Sequence, residues 1–184
     1  MVKTTAASQT NDWFGEGNLS TGDNLFKLLL DSTGDGIYGT DMAGNCTFAN
    51  PACLSLLGFR SDEELVGKHV HSLVHHTRPN GDPYPVEECQ IYKAFHAGKG
   101  VHVEDEIMYR TDGSWFEAAY YSYPVVEDGE LVGCVVSFND ISERVAVQSA
   151  LRNREEEFSA ILRSTGEAIY GTDMAGNATF ANPA

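Results

Sequence analysis

The sequence predicts an α+β domain in which one antiparallel sheet carries its helices on a single face. Three observations lead there. Two short alternating runs flank a tight-turn signature early in the chain, capped helical segments fill its middle, and three longer strand signals follow one another at its end.

Each element has its reason. Residues 24–31 (NLFKLLLD) are apolar at helical spacing and stop before Ser32-Thr33-Gly34-Asp35-Gly36. Residues 37–40 and 46–49 read as strands around Asp41-Met42-Ala43-Gly44-Asn45, whose Asp, Gly and Asn suit a hairpin turn. Asn50 caps a helix running through Leu57, with Pro51 in its first turn. Ser61-Asp62-Glu63-Glu64-Leu65 carries the start signal of another short helix. Residues 86–97 (VEECQIYKAFHA) place Val86, Cys89, Tyr92 or Lys93, and His96 at three-to-four spacing, and Gly98 stops the helix. Strands are then expected over 101–109, 115–123 and 131–138, joined by turns at 111–114 and 127–129. In the last of them Cys134, Val136 and Phe138 alternate with Val135 and Ser137, so one apolar face points inward.

Composition sets outer limits. The chain has 184 residues, of which 42% are hydrophobic and 10% aromatic, enough for a real core. Its 27 acidic and 12 basic residues leave a net charge of −15. That balance argues against nucleic acid or anionic lipid as partner, since both need a basic face. No run approaches the roughly 18 apolar residues that span a bilayer, and the first residues lack the apolar core of a secretory signal. Cys46, Cys53, Cys89 and Cys134 form no CxxC pair and read as reduced thiols in a cytoplasm.

The chain also repeats itself. Residues 37–52 (IYGTDMAGNCTFANPA) return as 169–184 (IYGTDMAGNATFANPA), with Cys46 against Ala178 the only mismatch. Upstream, Phe26, Leu30, Ser32, Thr33 and Gly34 return as Phe158, Leu162, Ser164, Thr165 and Gly166. The expected organisation is a flexible segment over 1–22, a domain over 23–140, a connector helix over 141–163 and the truncated start of a second copy over 164–184. In the connector, Val147, Leu151, Arg154, Phe158 and Ile161 follow the 4-3-4-3 spacing of a short coiled-coil seam with one polar position, which points to a homodimer. The second copy repeats the first two strands so closely that a swap between chains would exchange nearly equivalent contacts.

The stretch FKLLLDSTGDGIYGTDMAGNCTFANPACLSLLGF, the Asp112-Gly113 turn and GELVGCVVSFNDISER together resemble a PAS domain, over roughly residues 23–144. The resemblance implies a five-stranded antiparallel sheet with flanking helices and a ligand site between the sheet and the helix at 86–97. It further implies a sensory or dimerisation module, not itself an enzyme, placed upstream of an output such as a histidine kinase or diguanylate cyclase. A ligand-free structural dimer and a haem- or metal-dependent redox or gas sensor are the alternatives.

Candidate ligand-contacting residues follow from density of chemistry. Residues 68–92 hold His69, His71, His75 and His76, then a Pro- and Gly-rich loop, then Glu87, Glu88 and Cys89. The ligand set expected is His75, His76, Tyr84, Cys89, Tyr92, Tyr120 and Phe138. His71 and His75 at i, i+4 can chelate a metal, with Cys89 third and His76 fourth. Without a CxxC or HExxH pairing, however, the sequence assigns no metal; the plainer reading has His75 and His76 bonding loop carbonyls. Haem is the cofactor to consider, although Glu87 stands where haem-binding relatives carry their histidine. A flavin ranks behind it, because Cys46 lies in the opening hairpin and not on the helix that bears the adduct-forming cysteine. Asp140 and Arg144, also i, i+4, are expected to pair where the sheet hands over to the connector.

Overall fold

The computed structural model describes residues 21–183, so the expectation of a flexible segment over 1–22 falls outside them except at Thr21 and Gly22, which open the first helix. Helix α1 (Thr21–Asp31) leads into β1 (Gly36–Asp41), β2 (Cys46–Ala49) and α2 (Pro51–Leu57). The hairpin turn is built by Asp41, whose carboxylate accepts the backbone N–H of Ala43 and Asn45 at 2.9 and 2.8 Å and the Asn45 amide at 3.0 Å. Asn50 caps α2 by accepting from the Cys53 N–H at 2.8 Å, with Pro51 in the first turn.

A 3-10 turn (Asp62–Glu64) replaces the expected second short helix, and α3 (Val70–Val74) follows. The helix predicted over 86–97 is broken. A 3-10 turn (Val86–Glu88) ends at Cys89, whose backbone is extended (φ −60°, ψ 130°), and α4 (Gln90–His96) starts afresh from it. The cause is local pairing: the Cys89 N–H closes the first turn on the Val86 carbonyl at 3.1 Å, and the Cys89 carbonyl opens the second by accepting from Lys93 at 3.0 Å. Its side chain is buried.

Strands β3 (Val101–Tyr109), β4 (Trp115–Glu127) and β5 (Glu130–Asp140) complete the domain, the last two running further than their apolar alternation suggested. Asp128 and Gly129, at φ 50° and 87°, make the left-handed turn that joins them. The sheet order is β2-β1-β5-β4-β3, antiparallel throughout, with β5 paired on both edges. One continuous core joins inward strand residues such as Tyr38, Met108, Phe116, Tyr120, Val136 and Phe138 to Cys53, Leu57, Val74, Ile91 and Phe95 from the helices. Outward residues of β4, Trp115, Tyr121 and Tyr123, stay exposed.

The chain divides into two units after Asp140. The second holds α5 (Ser142–Ser164), β6 (Tyr170–Thr172) and β7 (Ala178–Ala181), a separate two-stranded sheet. Its local geometry repeats the first copy. Tyr170 faces Ala181 as Tyr38 faces Ala49, and the register slips at Gly171/Thr172 as it does at Gly39/Thr40. Among the described residues no helix is long and apolar enough to cross a membrane.

A buried polar cluster as candidate functional site

A polar cluster interrupts the apolar core where α3, the loop after it, and strands β3 and β4 meet. Its centre is Glu106. A bulge in β3 between Val103 and Glu106 slips the register by one residue, so the inward face that carries Val101 and Val103 passes to Glu106 instead of Asp105. The Tyr84 and Tyr120 hydroxyls donate to its carboxylate at 2.7 and 2.6 Å. Burial, joined by the carboxylate, drives both phenols well above the ordinary tyrosine range, so they remain neutral donors.

His75 sits beside this carboxylate, with Nε2 3.5 Å from the nearer oxygen. The imidazole is 2% exposed, and burial pulls its pKa down to about 4 against the opposing pull of Glu106. The contact is therefore between a carboxylate and a neutral ring. The other nitrogen, Nδ1, lies 3.8 Å from Cys89 Sγ. Burial raises the Cys89 thiol.

His71, one turn before His75, is half-buried and also held below the usual imidazole range by burial. Its Nε2–H donates to the Tyr84 carbonyl at 2.7 Å, which leaves Nδ1 unprotonated, buried and without a hydrogen-bond partner. A ring nitrogen of each histidine and Cys89 Sγ lie within 4.8 Å of one another. They border a cavity with about 30 Å³ of free space, walled also by Tyr38, Thr40 and Tyr92.

Of the residues expected from sequence, the structure gathers His75, Tyr84, Cys89 and Tyr120, with Tyr92 on the cavity wall. It does not gather the other two. His76 is exposed, bonds Thr77 and stacks on Tyr109 at 4.5 Å, while Phe138 packs in the core against Tyr38 and Phe116. The loop carbonyl is taken by His71 rather than by His75 or His76. Glu106 was missed, and Glu87, where the haem ligand of relatives falls, is exposed. Cys46 is a packed thiol donating to the Phe48 carbonyl at 3.3 Å, pushed up to about 12 by burial. At the end of β5, Asp140 is held by Arg110 at 2.8 Å, and Arg110 also reaches the Leu56 carbonyl at 3.1 Å. Arg144 is exposed in the first turn of α5.

Comparison with known proteins agrees with the architecture. The chain is 30% identical over 139 residues to the two-component system protein A of Emericella nidulans, a match covering 74% of this chain and 19% of that protein. It is 26% identical over 142 residues to the sensor protein CitS of Halalkalibacterium halodurans, covering 77% and 23%. It thus spans less than a quarter of either relative's length. The crystal structure of the PAS domain of nitrogen regulation protein NR(II) from Vibrio parahaemolyticus superposes with a TM-score of 0.50 at 17% identity, covering 64% of this chain and 98% of that one. The sequence model of the PAS domain matches residues 34–143, more than half the chain, and the protein belongs to the PAS domain family.

Proposed function

We propose that the chain is the signal-input part of a longer cytoplasmic regulator, whose PAS domain senses through the Glu106-centred cluster and passes the state of that cluster to an output domain through α5. The observation that carries this reading is the cluster itself. Buried polar side chains cost stability unless satisfied, and a domain that only dimerises needs none at its centre. Strand β5 supplies the route. It pairs with β1 and β4 on its two edges, places Val136 and Phe138 in the core and ends at the Arg110–Asp140 ion pair, after which the chain enters α5. The free space of about 30 Å³ suits an ion or a water molecule and speaks against haem or flavin.

In this reading α5 acts as a stiff rod that pairs with the same helix of a second chain, and the output is a histidine kinase or diguanylate cyclase. Rotation of the rod then sets activity. Inserting one residue after Asn153 in the full-length protein turns everything beyond it by about 100°, and inserting seven restores the phase. Output activity should change with the single insertion and return with the seven-residue one. Equal activity in all three proteins refutes transmission through α5.

A further inference from the structure

We propose that His71, His75 and Cys89 bind one divalent cation of the zinc class, with the fourth coordination position open to the cavity. The assignment deepens the sensory reading above by naming its input, and rests on that reading for its biological role.

The donor set is the first argument. Two imidazoles and a thiol suit borderline-soft divalent metals and not the oxygen-seeking Mg²⁺ or Ca²⁺. The geometry is the second. Tetrahedral zinc sets its nitrogen and sulfur ligands about 3.4–3.6 Å apart, from bond lengths of about 2.0–2.3 Å. His75 Nδ1 and Cys89 Sγ are 3.8 Å apart already, and one ring nitrogen of each histidine and the sulfur lie within 4.8 Å of one another, so a small side-chain adjustment closes the set.

The surroundings add a third. His71 Nδ1 is buried with its lone pair unused, because Nε2 is committed to the Tyr84 carbonyl. His75 presents Nε2 to Glu106 while Nδ1 faces the sulfur. In the His71 ring one nitrogen is oriented by an oxygen acceptor and the other is left for a metal, the arrangement that outer partners impose on ligating histidines, whereas His75 Nε2 makes no hydrogen bond and only lies 3.5 Å from the Glu106 carboxylate. Glu106 is in turn fixed by two tyrosine hydroxyls.

Charge then selects the valence. A divalent ion, the Cys89 thiolate and the Glu106 carboxylate sum to zero, whereas a monovalent ion leaves a net negative charge buried. On binding, Cys89 gives its proton to solvent and supplies the sulfur ligand. No histidine supplies a fourth ligand, since His76 is turned onto Tyr109 and His69 lies outside the group of mutually close donors. Three protein ligands and one open position make a site that exchanges its fourth ligand.

The test uses tag-free protein stripped with chelator. It is titrated with Zn²⁺ against a chromophoric competitor and, separately, with Co²⁺ read by absorption. One equivalent of Zn²⁺ should bind, and the Co²⁺ protein should show tetrahedral ligand-field bands and a thiolate charge-transfer band. Cys89→Ser should remove the charge-transfer band and weaken Zn²⁺ about 100-fold or more, and Glu106→Gln should weaken it about 10-fold as a loss outside the ligands themselves. Cys53→Ser and His96→Gln should bind as wild type. Should Cys89→Ser fail to fold by circular dichroism, His71→Gln, at a half-buried ligand, decides in its place. Absence of stoichiometric binding, a Co²⁺ spectrum without the sulfur band, or variants at Cys89 and His71 that bind like wild type overturns the site. A chain that takes no Zn²⁺ while the α5 insertion still alters output refutes the metal and leaves the sensory reading. Zn²⁺ binding with output indifferent to the insertion does the reverse.

Discussion

Asn50 shows how much of this fold one side chain can hold. It is 2% exposed, and its Oδ1 accepts from Cys53 at 2.8 Å and from Ile37 at 2.8 Å, capping α2 and fixing the start of β1 together. Its amide donates to the Leu30 carbonyl, the Thr33 hydroxyl and the Asp35 carbonyl at 3.0, 3.2 and 3.0 Å. Five bonds from one buried amide thus tie α1, the loop after it, β1 and α2. Asn182 makes the matching contacts to Leu162, Thr165, Glu167 and Ile169 in the second copy. Asn50→Ala removes the cap, worth about 1 kcal/mol, and leaves buried backbone groups unpaired at about 1–3 kcal/mol. A loss of about 2–4 kcal/mol in urea denaturation is expected; a loss below about 0.5 kcal/mol means that water replaces Asn50 without cost.

At the scale of elements, the pairing of β1 with β5 depends on Gly133. A Cβ there would lie 1.9 Å from the Thr40 carbonyl oxygen, a backbone atom that cannot step aside without parting the strands. Gly133→Ala should therefore destabilise by about 2–4 kcal/mol and speed hydrogen exchange at the amides of β1 before those of β3. Uniform exchange across the sheet, or unchanged stability, contradicts that close approach. Elements of this kind were legible in sequence where their causes are local. Asn50-Pro51, the Asp41–Asn45 turn and the alternation of Cys134, Val136 and Phe138 each act within a few residues. The break at Cys89 was not legible, because an apolar three-to-four spacing reads the same whether or not one residue of it turns extended. Glu106 was hidden for a related reason. Strand alternation assigns the inward position to Asp105, and only the bulge, a property of how β3 meets β4, passes it to Glu106. His71 and His75 were legible as a pair by their spacing, but not the Tyr84 carbonyl that orients His71 or the Glu106 carboxylate beside His75.

For the whole molecule, the two units differ in what they bury. The first encloses a core; in the second Val147, Leu151, Phe158 and Ile161 are 54–63% exposed along α5, and Tyr170 is 72% exposed. Apolar residues at 4-3-4-3 spacing seek a partner of the same spacing, which in the proposed dimer is a second α5. Charge does not oppose this, since the four Glu and four Arg of α5 cancel, and Arg152 already pairs with Glu156 at 3.0 Å. Exchange of the repeated hairpins is the competing route to a dimer, because β6 and β7 carry nearly the sequence and the register of β1 and β2. The two routes separate by light scattering on three proteins. If α5 holds the dimer, Leu151→Glu with Phe158→Glu gives a monomer, since buried like charges face each other across the seam, whereas deleting residues 165–184 leaves the mass of a dimer. Exchange predicts the opposite pair of results, with the deletion monomeric and the substituted helix still dimeric. A monomer in the unaltered protein rejects both, and leaves α5 without the partner that its apolar stripe requires.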